Sequence, residues 1–85
     1  MQRVSSTAYC LTGRMASGRY VYYGAAAMNG VPLGSRYHVL DGPRAGSTLV
    51  VEDRIGSGSS FDIAYPGNCS AARQYGRRTI SVQRV

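Results

Sequence analysis

Short stretches in which apolar and polar residues alternate recur along the chain and predict β-strands. The clearest is the C-terminal stretch, residues 79–85, which runs Thr, Ile, Ser, Val, Gln, Arg, Val. Leu49, Val50 and Val51 follow one another, and this apolar run predicts a strand that is buried on both faces. The predicted strands span residues 6–11, 19–23, 25–28, 36–40, 47–52, 61–64 and 79–85.

Turn-forming residues separate these strands, and only one helix is predicted. Residues 41–43 carry a strong Asp-Gly-Pro turn signal, and residues 56–60 form a glycine-serine loop. A short helix is predicted over residues 70–75, with Asn68 or Ser70 as its N-terminal cap. Helix therefore makes only a small contribution to the predicted fold.

Six or seven short strands in a chain of 85 residues favour an all-β fold, a small closed β-barrel. Closure would remove the exposed strand edges that an open sheet of this size would carry. The chain contains no internal repeat, linker or low-complexity tail. We therefore expect a single domain over residues 1–85.

The charge is strongly positive and comes entirely from arginine. Ten arginines and no lysine stand against four acidic residues, which gives a net charge of +6. Because guanidinium groups bind carboxylate and phosphate and stack on rings, the charge suits nucleic acid, anionic cell-wall polymer or anionic lipid. The arginines are spread along the chain without an RNA-binding aromatic motif, so we predict no specific nucleic-acid partner.

The chain has no apolar run long enough for a transmembrane helix and no signal-peptide pattern. No membrane span is therefore expected. The missing signal leaves two interpretations: an intracellular protein, or a mature chain whose export signal has been removed.

Cys10 and Cys69 are the two cysteines, and they are either a disulfide or two buried thiols. No CxxC motif is present, and with His38 as the single histidine the set is too small for a structural zinc site, so no metal is predicted. A disulfide would close a loop of roughly 58 residues and contribute about 4 kcal/mol. We favour the disulfide, which would indicate an oxidising compartment.

Few acids are available for chemistry. The four carboxylates are those of Asp41, Glu52, Asp53 and Asp62. Asp41 lies in a predicted turn, where aspartate commonly bonds nearby backbone, so a structural role is expected. Glu52 and Asp53 are neighbours at a predicted strand end, so their side chains should point to opposite faces, one of them towards solvent.

Asp62 is the main catalytic candidate because it lies between Phe61 and Ile63. An acid in such an apolar context is costly unless it is paired or used. Burial would raise its pKa, which suits a general acid, whereas a nearby arginine would lower it. The alternative is a structural ion pair between Asp62 and Arg54.

Other residue types give weaker signals. His38 lies in the middle of a predicted strand and is expected to be a packed or surface residue. The serines lack the GxSxG motif of nucleophilic hydrolases. The seven tyrosines either line a sugar-binding groove or are partly buried barrel residues with hydrated hydroxyls.

The order and spacing of several short segments resemble the three-aspartate (3D) domain, a double-psi β-barrel of bacterial cell-wall proteins. The chain is also similar, more distantly, to the barrels of rare lipoprotein A and the expansins. The matching segments are TAY at residues 7–9, ASG at 16–18, AAMN at 26–29, VPLGS at 31–35, VEDR at 51–54, FDI at 61–63 and AARQYGRRT at 71–79. Each segment is weak alone, but together they extend over nearly the whole chain.

This resemblance implies a six-stranded double-psi β-barrel with pseudo-twofold symmetry and one short helix. It also implies lytic transglycosylase activity, which breaks the bond between N-acetylmuramic acid and N-acetylglucosamine without water and leaves a 1,6-anhydro sugar. In such enzymes one carboxyl can serve both steps, whereas ordinary hydrolases use two carboxylates.

By motif, the third family aspartate falls on Asp62, which would act as acid and base. The second falls on Asp53, which would hold Asp62 or the sugar and raise the pKa of Asp62 through like-charge repulsion. Asn29 stands in the place of the first and would bind substrate, since its amide can still hydrogen-bond a carboxyl or a sugar hydroxyl. It cannot titrate, which would lower the pKa of Asp62 relative to a full triad. Further substrate-binding residues implied by the matching segments are Tyr9, Ser17 and Arg54.

The resemblance also allows a second function, a non-catalytic, expansin-like barrel that binds cell-wall glycan, and Asn29 favours it. A nucleic-acid or protein-binding module on the same barrel is the third hypothesis. Peptidoglycan or a related glycan is the expected partner, and no cofactor is expected. The protein would be a monomer that is secreted or held in the cell envelope after removal of its export signal.

Overall fold

The computed structural model describes residues 1–56 and 58–85; Ser57, which the sequence places in a loop, lies outside the described residues. The described chain forms six strands and one helix. They are β1 (Gln2–Tyr9), β2 (Ala25–Ala27), β3 (Arg36–Val39), β4 (Thr48–Asp53), β5 (Phe61–Ala64), α1 (Cys69–Tyr75) and β6 (Arg78–Arg84). The predicted six-stranded all-β barrel with one short helix is confirmed.

The six strands close into a barrel in the order β1-β5-β2-β4-β3-β6. The pairs β1/β5 and β2/β4 are parallel, and the other four pairs are antiparallel. Exchanging β1 with β4, β2 with β5 and β3 with β6 reproduces every pairing and its direction. The barrel thus has the pseudo-twofold symmetry that was expected.

The core is filled by side chains from alternate strand positions, which point into the barrel. In β4, Leu49 and Val51 are fully buried but Val50 is only half-buried, so the burial predicted for both faces of this run is partial. The rings of Tyr37 and Phe61 meet edge to face inside the barrel, with centroids 6.0 Å apart. The opposite, outward positions are left free to build a surface site.

The predicted strand at residues 19–23 is wrong. These residues belong to a long loop, residues 10–24, that we name the strap. Within the strap, which the structure describes in full, strand-like pairing is limited to one bridge between Arg14 and Tyr20. The alternation that suggested a strand arises because Val21 packs against the barrel while the residues before it are exposed.

The strap lies on the outer face of β2 and β5. Met15, 4% exposed, packs there against Ala25 and Ala64 in a second apolar cluster that is separate from the barrel core. Alanine has no side-chain atom beyond Cβ, so the outer surface of these two strands is flat enough for a loop to lie against it. The small residues of the two strands thus allow the strap to pack closely against them.

Glu52 holds the strap to the barrel. Its side chain is 5% exposed. Glu52 Oε2 accepts a hydrogen bond from Tyr22 Oη at 2.5 Å and lies 3.5 Å from Arg19 Nη1, and the Ser17 amide donates to the Glu52 carbonyl at 2.9 Å. Burial, and then the bond to Glu52, raises the pKa of Tyr22 to about 12, so its hydroxyl stays a donor.

Glu52 and Asp53 were expected on opposite faces, yet both side chains bind the strap. The register between β2 and β4 shifts at this point: Val51 pairs with Ala26, and Asp53 pairs with Ala27. The extra residue, Glu52, breaks the simple alternation of a strand. Neither acid is left as a freely solvated side chain.

Tyr22→Phe should destabilise the fold by about 1–3 kcal/mol, because it removes the hydroxyl donor from a buried carboxylate oxygen. Urea denaturation followed by circular dichroism measures this change. Tyr20→Phe is the matched control, since Tyr20 is 65% exposed on the same strap. Equal stabilities of the two variants would show that the Glu52 contact does not hold the strap.

Cys10, at the start of the strap, and Cys69, the first residue of α1, form a disulfide, which decides against two free thiols. The helix begins at this bond, one residue earlier than predicted. Asn68 is its cap, because Asn68 Oδ1 accepts a hydrogen bond from the Ala71 amide at 3.1 Å. The strap is therefore fixed to the helix at one end and to β4 further along.

Asp41 has a structural role, as predicted, although it binds distant strands. Asp41 Oδ1 accepts a hydrogen bond from the Ser81 amide at 2.9 Å, and Oδ2 lies 3.3 Å from Arg3 Nη1. His38 is half-buried on β3. Its Nδ1 lies within hydrogen-bond distance, 3.1 Å, of Thr48 Oγ1 on β4. Neither residue lies near the other acids that were considered for catalysis.

Candidate active site

A cleft of about 260 Å³ opens on the outside of the barrel, between the strap and the adjoining strands. It is lined by Tyr9, Leu11, Thr12, Arg14, Val21, Ala27, Asp53, Arg54 and Asp62. Four of the residues predicted to form the site thus lie together: Asp62, Asp53, Tyr9 and Arg54. Two acids, a phenol and a guanidinium share one open depression.

Strand register places the two acids on either side of one alanine. Ala27 on β2 pairs with Asp53 on β4 and with Asp62 on β5. Because neighbouring strands lie about 4.8 Å apart, the Cα atoms of the two acids are roughly 10 Å apart. The small Ala27 side chain between them leaves room for a ligand over the floor of the cleft.

Asp62 is half-buried at the outer face of β5. Asp62 Oδ1 accepts a hydrogen bond from Thr7 Oγ1 at 3.0 Å, and Thr7 Oγ1 also bonds Ser59 Oγ at 2.8 Å. Burial raises the pKa of Asp62, and the Thr7 hydrogen bond offsets part of that rise. The carboxyl is thereby tuned towards its protonated form, as a general acid requires.

The alternative ion pair between Asp62 and Arg54 is not found. Arg54 Nη1 donates instead to the carbonyls of Met28 at 2.9 Å and Val31 at 2.6 Å. Among the described residues, no arginine lies within ion-pair distance of Asp62. Among the residues that the structure describes, Asp62 therefore has no ion-pair partner that would hold it ionised.

Asp53 has a different environment. Asp53 Oδ1 accepts hydrogen bonds from the backbone amides of Ala16 at 3.0 Å and Arg54 at 2.8 Å. The first of these bonds attaches the strap to the rim of the cleft. Two neighbouring acids with unlike surroundings are suited to unlike roles.

The hydroxyl of Tyr9 is buried and has no hydrogen-bond partner among residues 1–56 and 58–85. Burial and then the charges of Asp53 and Asp62 raise the pKa of Tyr9 to about 12. The phenol is therefore a protonated donor near both acids. A buried donor without an acceptor is costly, and a ligand oxygen would satisfy it.

Asn29 and Ser17, also predicted to bind substrate, do not line the cleft. Asn29 Nδ2 donates to the Ile55 carbonyl at 2.7 Å, and Asn29 Oδ1 accepts from the Ile55 amide at 2.9 Å. Ser17 Oγ accepts a long bond of 3.4 Å from the Arg19 amide. Their contact with a substrate stays a prediction.

The residues of the site that were missed include Thr7, Ala27 and Arg14. Thr7 and Ala27 stand in matching segments, but their roles depend on pairing with β5, which no local pattern encodes. Arg14 lines the cleft, donates to the Gly18 carbonyl at 2.9 Å and lies 4.8 Å from the centroid of the Tyr20 ring. Its place follows from the path of the strap.

Asp62→Asn should leave the fold at least as stable as the parent at neutral pH. The pKa of Asp62 is raised in the folded chain, so ionisation costs stability. That cost is absent below the unfolded pKa, where the acid is protonated in both states, and is complete above the folded pKa. Thermal melts at neutral pH and at pH about 3 measure the difference, which should close at the lower pH. A parent that is the more stable at neutral pH would contradict this.

Comparisons with known proteins add no family assignment. No protein-family model matches the chain, and no curated protein matches its sequence. In the part of the chain that the structure describes, no three His, Cys, Asp or Glu side chains are grouped as metal ligands. No described helix is long and apolar enough to span a membrane.

Proposed function

We propose that this protein is a peptidoglycan-cleaving lytic transglycosylase domain that uses Asp62 as its acid and base. The observation that carries the proposal is the state of Asp62: a half-buried carboxyl with a raised pKa, without a cation partner among the described residues, on the wall of an open cleft. The resemblance of the seven segments to the three-aspartate domain supplies the substrate class.

In the first step, protonated Asp62 donates its proton to the glycosidic oxygen, and the bond from that oxygen to C1 of the muramyl sugar breaks. In the second, the Asp62 carboxylate takes the proton of the 6-hydroxyl while O6 bonds to C1. The product is the 1,6-anhydro sugar, and Asp62 is protonated again. One carboxyl therefore suffices, and no water is consumed.

The other cleft residues bind and orient the sugar. The Tyr9 hydroxyl donates to a sugar oxygen, which satisfies a donor that is otherwise buried without a partner among the described residues. Asp53, held by the Ala16 and Arg54 amides, presents negative charge to the positive charge that develops at C1. The +6 charge brings the protein to an anionic cell wall.

The second candidate is a non-catalytic barrel that binds cell-wall glycan. The observation that favours it is the occupation of Asn29: both polar atoms of its side chain bond the Ile55 backbone. Asn29 carries no charge, and among the described residues its hydrogen bonds go to Ile55 rather than to Asp62. A cleft with fewer acids is better suited to holding a sugar than to cleaving it.

The disulfide supports the proposed location. Cys10 and Cys69 are bonded, and such bonds persist in oxidising compartments. A secreted or cell-envelope protein that acts as a monomer on peptidoglycan, without a cofactor, is consistent with this chemistry.

Digestion of purified peptidoglycan, with the soluble products read by mass spectrometry, tests the function. Muropeptides ending in 1,6-anhydro-muramic acid are expected. Products with reducing ends would identify a hydrolase and contradict the proposal. No soluble product, with the protein retained on the insoluble wall, would establish the binding barrel, and loss of both would remove both candidates.

A further inference from the structure

We propose that Arg44 and the tyrosines around it form a second ligand site. Its ligand is a small molecule in which a carboxylate is attached to a compact organic group. Arg44 lies in the loop between β3 and β4 and is 5% exposed. The carbon of its guanidinium lies 4.0 Å from the centroid of the Tyr23 ring and 5.3 Å from that of Tyr65. The two rings meet edge to face, 5.9 Å apart.

The buried guanidinium is incompletely satisfied. Arg44 Nε and Nη1 are inaccessible to solvent and have no hydrogen-bond partner among residues 1–56 and 58–85. Contact with two tyrosine rings offsets part of the cost of burying a cation. The ring faces supply no acceptor, so Nε and Nη1 stay without a hydrogen bond among the described residues.

In the part of the chain that the structure describes, no carboxylate forms an ion pair with Arg44. Within the described residues, the two ion pairs join Arg3 to Asp41 and Arg19 to Glu52, on other parts of the barrel. The remaining acids, Asp53 and Asp62, line the cleft described above. A buried positive charge without a counter-ion favours an anion from outside.

A separate pocket lies beside this cation. It has a volume of about 290 Å³, is lined by Pro43, Tyr65, Ala71, Gln74 and Tyr75, and shares no lining residue with the cleft. Tyr65 belongs both to this pocket and to the stack on Arg44. Burial raises the pKa of Tyr75, and the charge of Arg44 is among the influences that oppose this rise, so its field reaches the pocket.

The lining indicates the class of ligand. Two tyrosine rings, a proline and an alanine would contact a compact apolar or sugar face, and the Gln74 amide can bond a polar group on it. No acid lines the pocket, and one buried guanidinium matches a single negative charge with the planar geometry of a carboxylate. Arg44 itself does not line the pocket, so in the proposed complex the Tyr23 ring, which is 63% exposed on the strap, moves to admit the carboxylate.

The test is an NMR titration of the isotope-labelled protein with N-acetyl-alanine, its uncharged amide, and inorganic phosphate. The carboxylate should shift the resonances of Tyr65 and Gln74 saturably and bind at least about tenfold more tightly than the amide. Equal binding of the amide would overturn the proposal. Phosphate binding as tight as that of the carboxylate would overturn the choice of ligand class.

Two variants locate the effect. Arg44→Gln should abolish the saturable shifts, and Arg44→Lys should weaken binding because lysine keeps the charge but loses the planar fork. Arg36→Gln is the matched control, since it removes one exposed charge on β3. An equal loss in the Arg36 variant would show only general attraction to the basic surface and contradict the site. If the glutamine variant fails to fold, Arg44→Lys still tests the site. Unaltered binding by Arg44→Lys would contradict recognition of the carboxylate by the planar guanidinium. The readout does not involve glycan cleavage, so it stands apart from the proposed activity.

Discussion

Asp62→Asn is expected to lower the rate of peptidoglycan cleavage by about 10²- to 10⁴-fold while the protein still binds the wall. Asparagine has nearly the same shape and its Oδ1 can still accept the hydrogen bond from Thr7. It cannot donate a proton to a glycosidic oxygen or take one from the 6-hydroxyl. The variant therefore removes both steps assigned to this carboxyl and leaves the cleft intact.

The assay compares initial rates of release of anhydro-muropeptides and, separately, the fraction of protein that sediments with the wall. Asp41→Asn is the matched control, because Asp41 lies outside the cleft and its Oδ1 can still accept from the Ser81 amide. Cleavage by the Asp62 variant at the parental rate would reject Asp62 as the acid and base.

The pH profile gives a second readout that a purely structural role would not produce. The proton-donating form of Asp62 persists to higher pH than that of an ordinary aspartate, because burial raises its pKa. Activity should therefore fall as the pH rises through that pKa. Thr7→Val removes a hydrogen bond that lowers the pKa, so this decline should move to higher pH.

Removal of the disulfide is expected to cost about 4 kcal/mol of unfolding free energy, because the bond joins residues 59 apart in sequence and restricts the unfolded chain. Domains of this size are stable by only about 5–15 kcal/mol, so between about a quarter and four-fifths of the margin would be lost. The double variant Cys10→Ser with Cys69→Ser, compared with the parent in urea denaturation, measures the loss.

Reduction supplies the control for that experiment. A thiol reductant should lower the stability of the parent by a similar amount and leave the double serine variant unchanged. If the parent and the double variant unfold at the same urea concentration, the restriction of the unfolded chain contributes little. A change only in the slope of the transition would indicate an altered unfolded state.

Prediction from sequence succeeded where local chemistry decides the structure. In the sequence of β6, polar and apolar residues alternate, and α1 has a capping residue, Asn68, at its start. The prediction from sequence failed for the strap, because Val21 packs against an apolar surface formed by alanines that are distant in the chain. Alternating exposure of this kind has the same sequence signature in a packed loop as in a strand.

The candidate site was predictable in its residue types and not in its geometry. Asp62 stood out because an acid between Phe61 and Ile63 is unusual in a strand. Its neighbours Thr7 and Asp53 depend on parallel pairing between segments far apart in the chain. The bonds of Asn29 to the Ile55 backbone likewise follow from loop geometry.

The position of β1 has a consequence for how the protein folds. The N-terminal strand pairs only with β5 and β6, the last two strands of the chain. The backbone groups of β1 that face β6 therefore remain without these partners until residues 78–84 have been synthesised. Contacts between such distant segments make folding slow, and closure of the barrel is a late, all-or-none event. A chain truncated before β6 would have an open edge and would tend to aggregate rather than fold.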